Sequence, residues 1–163
     1  MILQTERLVI RKFKPDDLAA LIDMFTDPEV MRYIGPRRPL TEDETQKWLT
    51  NILFQQDKIL TRYAVARKET DELIGVAGLR EEDGIKDFGY YFRRRFWGKG
   101  YAIEACSAIL DHIESTLKIC DYQIFIADEN INSIRMIQKL GFQAVEGSII
   151  SIEQGHLYKR NFR

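Results

Sequence analysis

The sequence predicts an α/β chain of the α+β type, a mostly antiparallel sheet of about seven strands flanked by helices, and three observations carry that expectation. Residues 63–93 hold three strand-like runs joined by the polar turns Glu69-Thr70-Asp71 and Asp83-Gly84, the pattern of an antiparallel meander. Across residues 98–117, apolar side chains at 102, 103, 106, 109, 110, 113 and 117 form a helical stripe wide enough to pack on a sheet. Elsewhere, strand-like and helix-like patterns come in succession with short polar breaks between them.

Taken in order, residues 5–14 alternate Leu8 and Ile10 with charged residues before Phe13 shifts phase, which suits a half-buried strand with an irregularity near its end, stopped by Pro15. Asp16 is placed to cap a helix carrying Leu18, Leu21, Ile22 and Phe25 and ended by Asp27-Pro28, with a short helical turn reaching Tyr33. After the loop Gly35-Pro36-Arg37-Arg38-Pro39, Thr41 and Glu44 make a capping-box pattern that opens a helix through Trp48, Leu49, Ile52 and Leu53. The meander strands are expected at 63–67, 73–79 and 85–93, and the long helix follows. A strand at 122–127, a helix at 132–140 stopped by Gly141, and two strands within 142–162 about a turn near Glu153 to Gly155 complete the reading.

A chain of 163 residues fits one domain, 1–163, able to bury roughly two-thirds of its unfolded surface. Its formal net charge of -1 argues against a broad basic nucleic-acid surface, so any anion site must be local. No apolar run approaches a membrane span and no signal-peptide layout opens the chain, so a cytoplasmic protein without a membrane partner is expected, either a monomer or a homodimer. Cys106, Cys120, His112 and His156 lack metal-ligand spacing, and no metal is expected.

Two segments carry chemistry. The strand Phe88-Gly89-Tyr90-Tyr91-Phe92 runs through Arg93-Arg94-Arg95-Phe96-Trp97-Gly98-Lys99-Gly100 into Tyr101-Ala102 and the long helix. Glycines there let backbone approach an anion, and the unpaired N–H groups of a first helical turn favour negative charge. The dipole alone contributes only about 0.3 to 1 kcal/mol, so several N–H donors with Arg95 or Lys99 would have to act together. Taken alone, the same residues fit a solvated arginine face with a tight turn. The loop lacks the Gly-Lys-Ser/Thr ending of a nucleotide-hydrolysing loop and the third glycine of a dinucleotide fingerprint. In the second segment, Asn130 and Ser133 stand where a strand ends and a helix begins, either as helix caps or as ligand contacts.

Together, Arg95-Phe96-Trp97-Gly98-Lys99-Gly100 and the later Asn130, Ser133, Gly141 and Phe142 resemble the GNAT family of acetyl-CoA-dependent N-acetyltransferases. The opening Thr5-Glu6-Arg7-Leu8-Val9-Ile10-Arg11 with Gly75-Val76-Ala77-Gly78-Leu79 resembles its ribosomal-protein N-acetyltransferase branch. The resemblance implies a mixed sheet splayed between the strand ending at Arg93 and that ending near Ala127, with acetyl-CoA as co-substrate in the gap. It places Phe92 and Arg94 along the pantetheine arm, the N–H groups of Arg95, Gly98, Lys99, Gly100, Tyr101 and Ala102 on the pyrophosphate, and Asn130 on the arm or its loop, with Arg93 also among the cofactor-binding residues.

The implied activity is acetyl transfer to a primary amine, a protein N-terminus or a small molecule, by direct attack in a ternary complex. A non-catalytic acyl-CoA sensor is the rival reading, because Ile137 stands where many relatives carry a tyrosine general acid. Ser133 is then the nearest acid and Asp87, just ahead of the Gly89-Tyr90 strand, the favoured base. Deprotonating an α-amine near pKa 8 at pH 7 costs about 1.4 kcal/mol against roughly 4.6 for a lysine, which leans towards low-pKa amines. The acidic turn Glu81-Glu82-Asp83 is expected to draw a cationic acceptor.

Overall fold

The computed structural model describes residues 1–58, 61–147 and 154–160. The meander forms where the turns placed it: β3 (Arg62–Arg67), β4 (Leu73–Glu82) and β5 (Ile85–Phe92) pair antiparallel in sequence order. β1 (Leu3–Gln4) and β2 (Leu8–Arg11) extend this sheet on the β3 side, giving the order β1-β2-β3-β4-β5. The first strand is shorter than its alternation suggested, because the Thr5 N–H bonds the Leu8 carbonyl and turns the chain between β1 and β2.

β4 is buried along its first seven residues, since helices cover both faces of the sheet and an alternating pattern is not needed there. On one face lies α3 (Tyr101–Ser115), with Ala105, Cys106, Ile109, Leu110 and Ile113 buried against Leu8, Ile10, Ile74 and Leu79. On the other lie α1 (Leu18–Phe25) and α2 (Glu42–Gln55), with Leu21, Met24, Phe25 and Leu49 packed on Ala64, Leu73 and Val76. The capping box of α2 is present in both directions between Thr41 and Glu44, and such a cap contributes about 1 kcal/mol.

Asp16 does not cap α1. A 3₁₀ turn, Pro15–Asp17, precedes the helix, and the Asp17 carboxylate instead accepts the Lys14 N–H at 2.8 Å and both terminal nitrogens of Arg11 at 2.9 Å. Arg11 and Asp17 are each 5% exposed, so this is a buried, fork-shaped ion pair, and Asp71 completes it on the Arg11 Nε at 2.8 Å.

β6 (Ile124–Ala127), α4 (Ile131–Lys139), β7 (Phe142–Ala144) and β8 (Gly155–Arg160) form a second sheet in the order β6-β8-β7 with α4 alongside. Eight strands are therefore present among the described residues, one more than expected, the extra one being the two-residue β1. Of the final turn, Glu153 lies outside the described residues, while Gly155 opens β8. No helix among the described residues is long and apolar enough to cross a membrane.

The two sheets touch at one parallel bridge between Asp87 and Gln123. There the Phe88 N–H bonds the Gln123 carbonyl at 2.8 Å, the Gln123 N–H bonds the Lys86 carbonyl at 3.0 Å, and Gln123 Nε2 donates to Asp87 Oδ1 at 2.9 Å. Past that point no hydrogen bond joins β5 to β6 among the described residues, and the two parallel strands part.

Candidate active site

The loop after β5 is shaped by two glycines in the left-handed region, Gly98 at φ 74° and Gly100 at φ 80°. A Cβ at Gly98 would meet nothing within 4 Å, so backbone conformation rather than crowding calls for glycine, and the space above it is open. A 3₁₀ turn, Arg94–Phe96, uses the N–H groups of Phe96 and Trp97 internally. Those of Gly98, Lys99, Gly100, Tyr101, Ala102 and Ile103 find no acceptor among the described residues, and the α3 ladder begins only with Glu104 N–H on Gly100. A row of free donors at a helix N-terminus is a cradle for a diphosphate.

The three arginines ahead of it serve otherwise. Arg93 is 8% exposed, and its guanidinium binds Asp23, Glu72 and the Leu73 carbonyl while its N–H goes to Ile74. It is a structural bolt, its guanidinium and N–H both engaged within the protein. Arg94 pairs with Asp27 at 2.9 Å and Arg95 with Glu72 at 2.7 Å, both as exposed side chains. The Phe92 carbonyl, expected on the pantetheine arm, already accepts the Trp97 indole N–H at 2.8 Å. Lys99 is the loop cation without an ion pair among the described residues.

Arg7, ninety-odd residues away, holds the cradle in place. Its Nη1 donates to the Lys99 carbonyl at 2.8 Å, its Nε to Glu104 at 2.8 Å, and its guanidinium lies 4.3 Å above the Tyr101 ring. Glu104 also accepts the Thr5 hydroxyl at 2.5 Å and the Arg7 N–H at 3.1 Å. Burial pushes the Glu104 carboxyl up, but these bonds outweigh it and leave its pKa below the ordinary value.

A cleft of about 310 Å³ opens beside the cradle. Phe92, Gly98, Gly100, Tyr101 and Ala102 line it, as the sequence suggested, whereas Asn130 does not. Its far wall is instead the exposed face of α4, with Asn132, Arg135 and Lys139, which sequence reasoning passed over. Arg135 and Lys139 stand four apart on one helical face, a spacing that signals a paired cation site only once the helix is known to face a ligand. Asn130 occupies the N-cap of α4 but makes no capping bond with its side chain.

Between the parted strands, the Tyr90 hydroxyl donates to Ser133 Oγ at 2.7 Å, tying β5 to α4 across the opening. Burial pushes the Tyr90 phenol well above its ordinary pKa, so it stays protonated and is the donor of that bond, leaving the Ser133 proton available to a third group. Ile137, one helical turn on, is 1% exposed and belongs to the core.

A second cleft, of about 290 Å³, lies on the α1–α2 side of the sheet with Asp87 on its wall. Tyr33 and Tyr91 also line it, with Phe125 from β6 across the parting. The acidic run Glu81-Glu82-Asp83 does not, since Glu81 and Glu82 close β4 and pair with Lys86 and Arg80. His156 meets Asp128 at 2.6 Å and lines neither cleft.

Residues 7–143 match the family model described as an acetyltransferase (GNAT) domain. The chain belongs to the GNAT acetyltransferase family. It is 30% identical to the uncharacterized N-acetyltransferase p20 of Bacillus licheniformis, with 98% of this chain and 97% of that protein covered. A GNAT-family acetyltransferase from Bacillus anthracis superposes at a TM-score of 0.80 with 27% identity, over 96% of this chain and 94% of that one. A ribosomal-protein-S5-alanine acetyltransferase from Vibrio fischeri has the same fold, at a TM-score of 0.74 and 18% identity over 96% and 93% of the two chains. This GNAT protein is thus an acetyl-CoA-dependent N-acetyltransferase, and the family's reaction is acyl transfer from acetyl-CoA to an amine.

Proposed function

We propose that this enzyme transfers the acetyl group to a primary amine by direct attack, with acetyl-CoA and acceptor held together on opposite sides of the β5–β6 parting. The observation that carries it is the parting itself, since β5 and β6 bridge at Asp87 and Gln123 and then separate, one cleft lying beside each end of the opening that the Tyr90–Ser133 bond spans.

The N–H groups from Gly98 to Ile103 would hold the pyrophosphate, with Lys99, Arg135 and Lys139 adding charge. Bound acetyl-CoA supplies the thioester carbonyl. As the amine nitrogen bonds the thioester carbon and the C–S bond breaks, Asp87 takes one proton from the acceptor ammonium, and Ser133, oriented by Tyr90, passes a proton to the departing sulfur and regains one from the acceptor nitrogen. Much of the rate comes from holding the two reactants in register.

A covalent acetyl-enzyme finds no support. Cys106 is fully buried and its thiol is pushed up by burial, and Cys120 lines neither cleft. Initial rates of thiol release with both substrates varied test this reading. Intersecting reciprocal plots are expected, whereas parallel plots, the mark of a covalent intermediate, contradict it. Binding of acetyl-CoA with no acetylated amine across a broad panel would favour the sensor reading.

A further inference from the structure

Building on the acetyltransferase reading above, we propose that the acceptor is a small primary amine bearing an oxyanion, a carboxylate or a phosphate, that docks on Arg62 in the Asp87 cleft. The floor of that cleft follows from strand register. Arg62, Gly78 and Gly89 are cross-strand neighbours on β3, β4 and β5, and the next row pairs Arg80 with Asp87. The two glycines leave a strip of bare backbone between Arg62 and the β5 wall. At Gly89 an added Cβ would meet nothing nearer than the Tyr91 hydroxyl at 3.9 Å, so the missing side chain is the space of the cleft itself.

Among the described residues, three arginines, Arg37, Arg62 and Arg80, and one carboxylate, Asp87, line this space. Arg80 already pairs with Glu82. Arg62 is part-buried and has no ion pair among the described residues. A partly desolvated guanidinium facing a cavity matches the two-oxygen edge of a carboxylate or phosphate and repels an oligocation. Adjacent strands lie about 4.8 Å apart and Asp87 is two residues along β5 from the Arg62 row, so the Arg62 and Asp87 backbones are about 12 Å apart, and an Arg62 side chain reaching inward leaves room only for a small molecule between them. With its oxyanion on Arg62, such a molecule turns its amine towards Asp87 and the β5–β6 parting. The volume of about 290 Å³ suits that size.

Thiol release from acetyl-CoA is measured with matched amines: amino acids against their carboxamides, phosphoethanolamine against ethanolamine, and spermidine as the oligocation. In at least one pair the anionic member is expected to exceed its neutral partner in kcat/KM by about tenfold or more, and the responding pair tells carboxylate from phosphate. Arg62→Gln is expected to raise the KM for that amine by about 10- to 100-fold, leave the acetyl-CoA KM unchanged, and be partly rescued by Arg62→Lys. Preference for spermidine or the neutral amines overturns the proposal and leaves the transferase reading standing. Absence of turnover with every anionic amine, in a protein that acetyl-CoA still stabilises against heat, does the same. No stabilisation by acetyl-CoA and no thiol release with any amine would remove both readings together.

Discussion

Ser133→Ala tests the proposed acid beside the β5–β6 parting. Loss of a general acid ordinarily lowers rate by about 10²- to 10⁴-fold. The leaving group here is a thiolate, whose conjugate acid has a pKa near 8.5, so its departure needs a proton less than an alkoxide would, and the low end, about 10²-fold in kcat, is expected. Tyr90 acts only through Ser133, by a single 2.7 Å bond, and its ring packs on Phe88 whether or not the hydroxyl is there. Tyr90→Phe should therefore keep the fold and lose about 1 kcal/mol of orientation, a fall of roughly fivefold in kcat with an unchanged acetyl-CoA KM. The double variant should be no slower than Ser133→Ala alone, because removing the serine removes what Tyr90 orients. Steady-state kinetics of thiol release on all four proteins gives the cycle. Unchanged kcat in Ser133→Ala, or a Tyr90→Phe effect that persists without the serine, refutes the relay.

Arg7→Ala removes the latch on the Lys99 carbonyl, and because Arg7 is 40% exposed the global loss of stability should stay within about 1 kcal/mol. Its mark should be a rise of about tenfold in the calorimetric Kd for acetyl-CoA with kcat little changed. Gly89→Leu should fill the acceptor cleft, raising the acceptor KM by about tenfold or more while acetyl-CoA still stabilises the protein normally. The depressed pKa of Glu104 contributes stability that is complete above the unfolded carboxylate value of 4.5 and is lost as pH falls through the lower folded value. Thermal midpoints recorded across the acid range should thus fall less steeply below about pH 4.5 in Glu104→Gln than in the parent.

Features that depend on near neighbours in the chain were legible in the sequence. The Thr41–Glu44 box, the polar turns of the meander and the stripe of α3 need only spacing to be seen. The candidate site's loop shape was legible where backbone makes it, at Gly98, Gly100 and the first turn of α3. The site was not legible where partners are distant in sequence. Arg93 reads as a ligand-binding cation until Asp23 and Glu72 close on it, and Arg7 reads as a strand residue until Glu104 and Lys99 meet it. Asp16 reads as the cap of α1, and the buried pair of Arg11 with the neighbouring Asp17, which places a 3₁₀ turn there, carries no local signal. Arg62 and Gly89 carry no local signal, since their meaning is a cross-strand register.

The cradle at Gly98 to Ile103 is the feature on which the rest depends, and thermal unfolding with and without acetyl-CoA, in the parent and in Gly100→Glu, tests it most directly. Glutamate at φ 80° costs roughly 1 to 2 kcal/mol by itself, so each protein is compared only with its own unliganded form. At about 100-fold over Kd, binding adds about 2.7 kcal/mol, a midpoint rise of roughly 5 to 10 °C. That rise is expected in the parent and should vanish in Gly100→Glu, whose carboxylate occupies the donors meant for the pyrophosphate. An equal rise in both proteins would place the cofactor elsewhere and contradict the assignment of the loop.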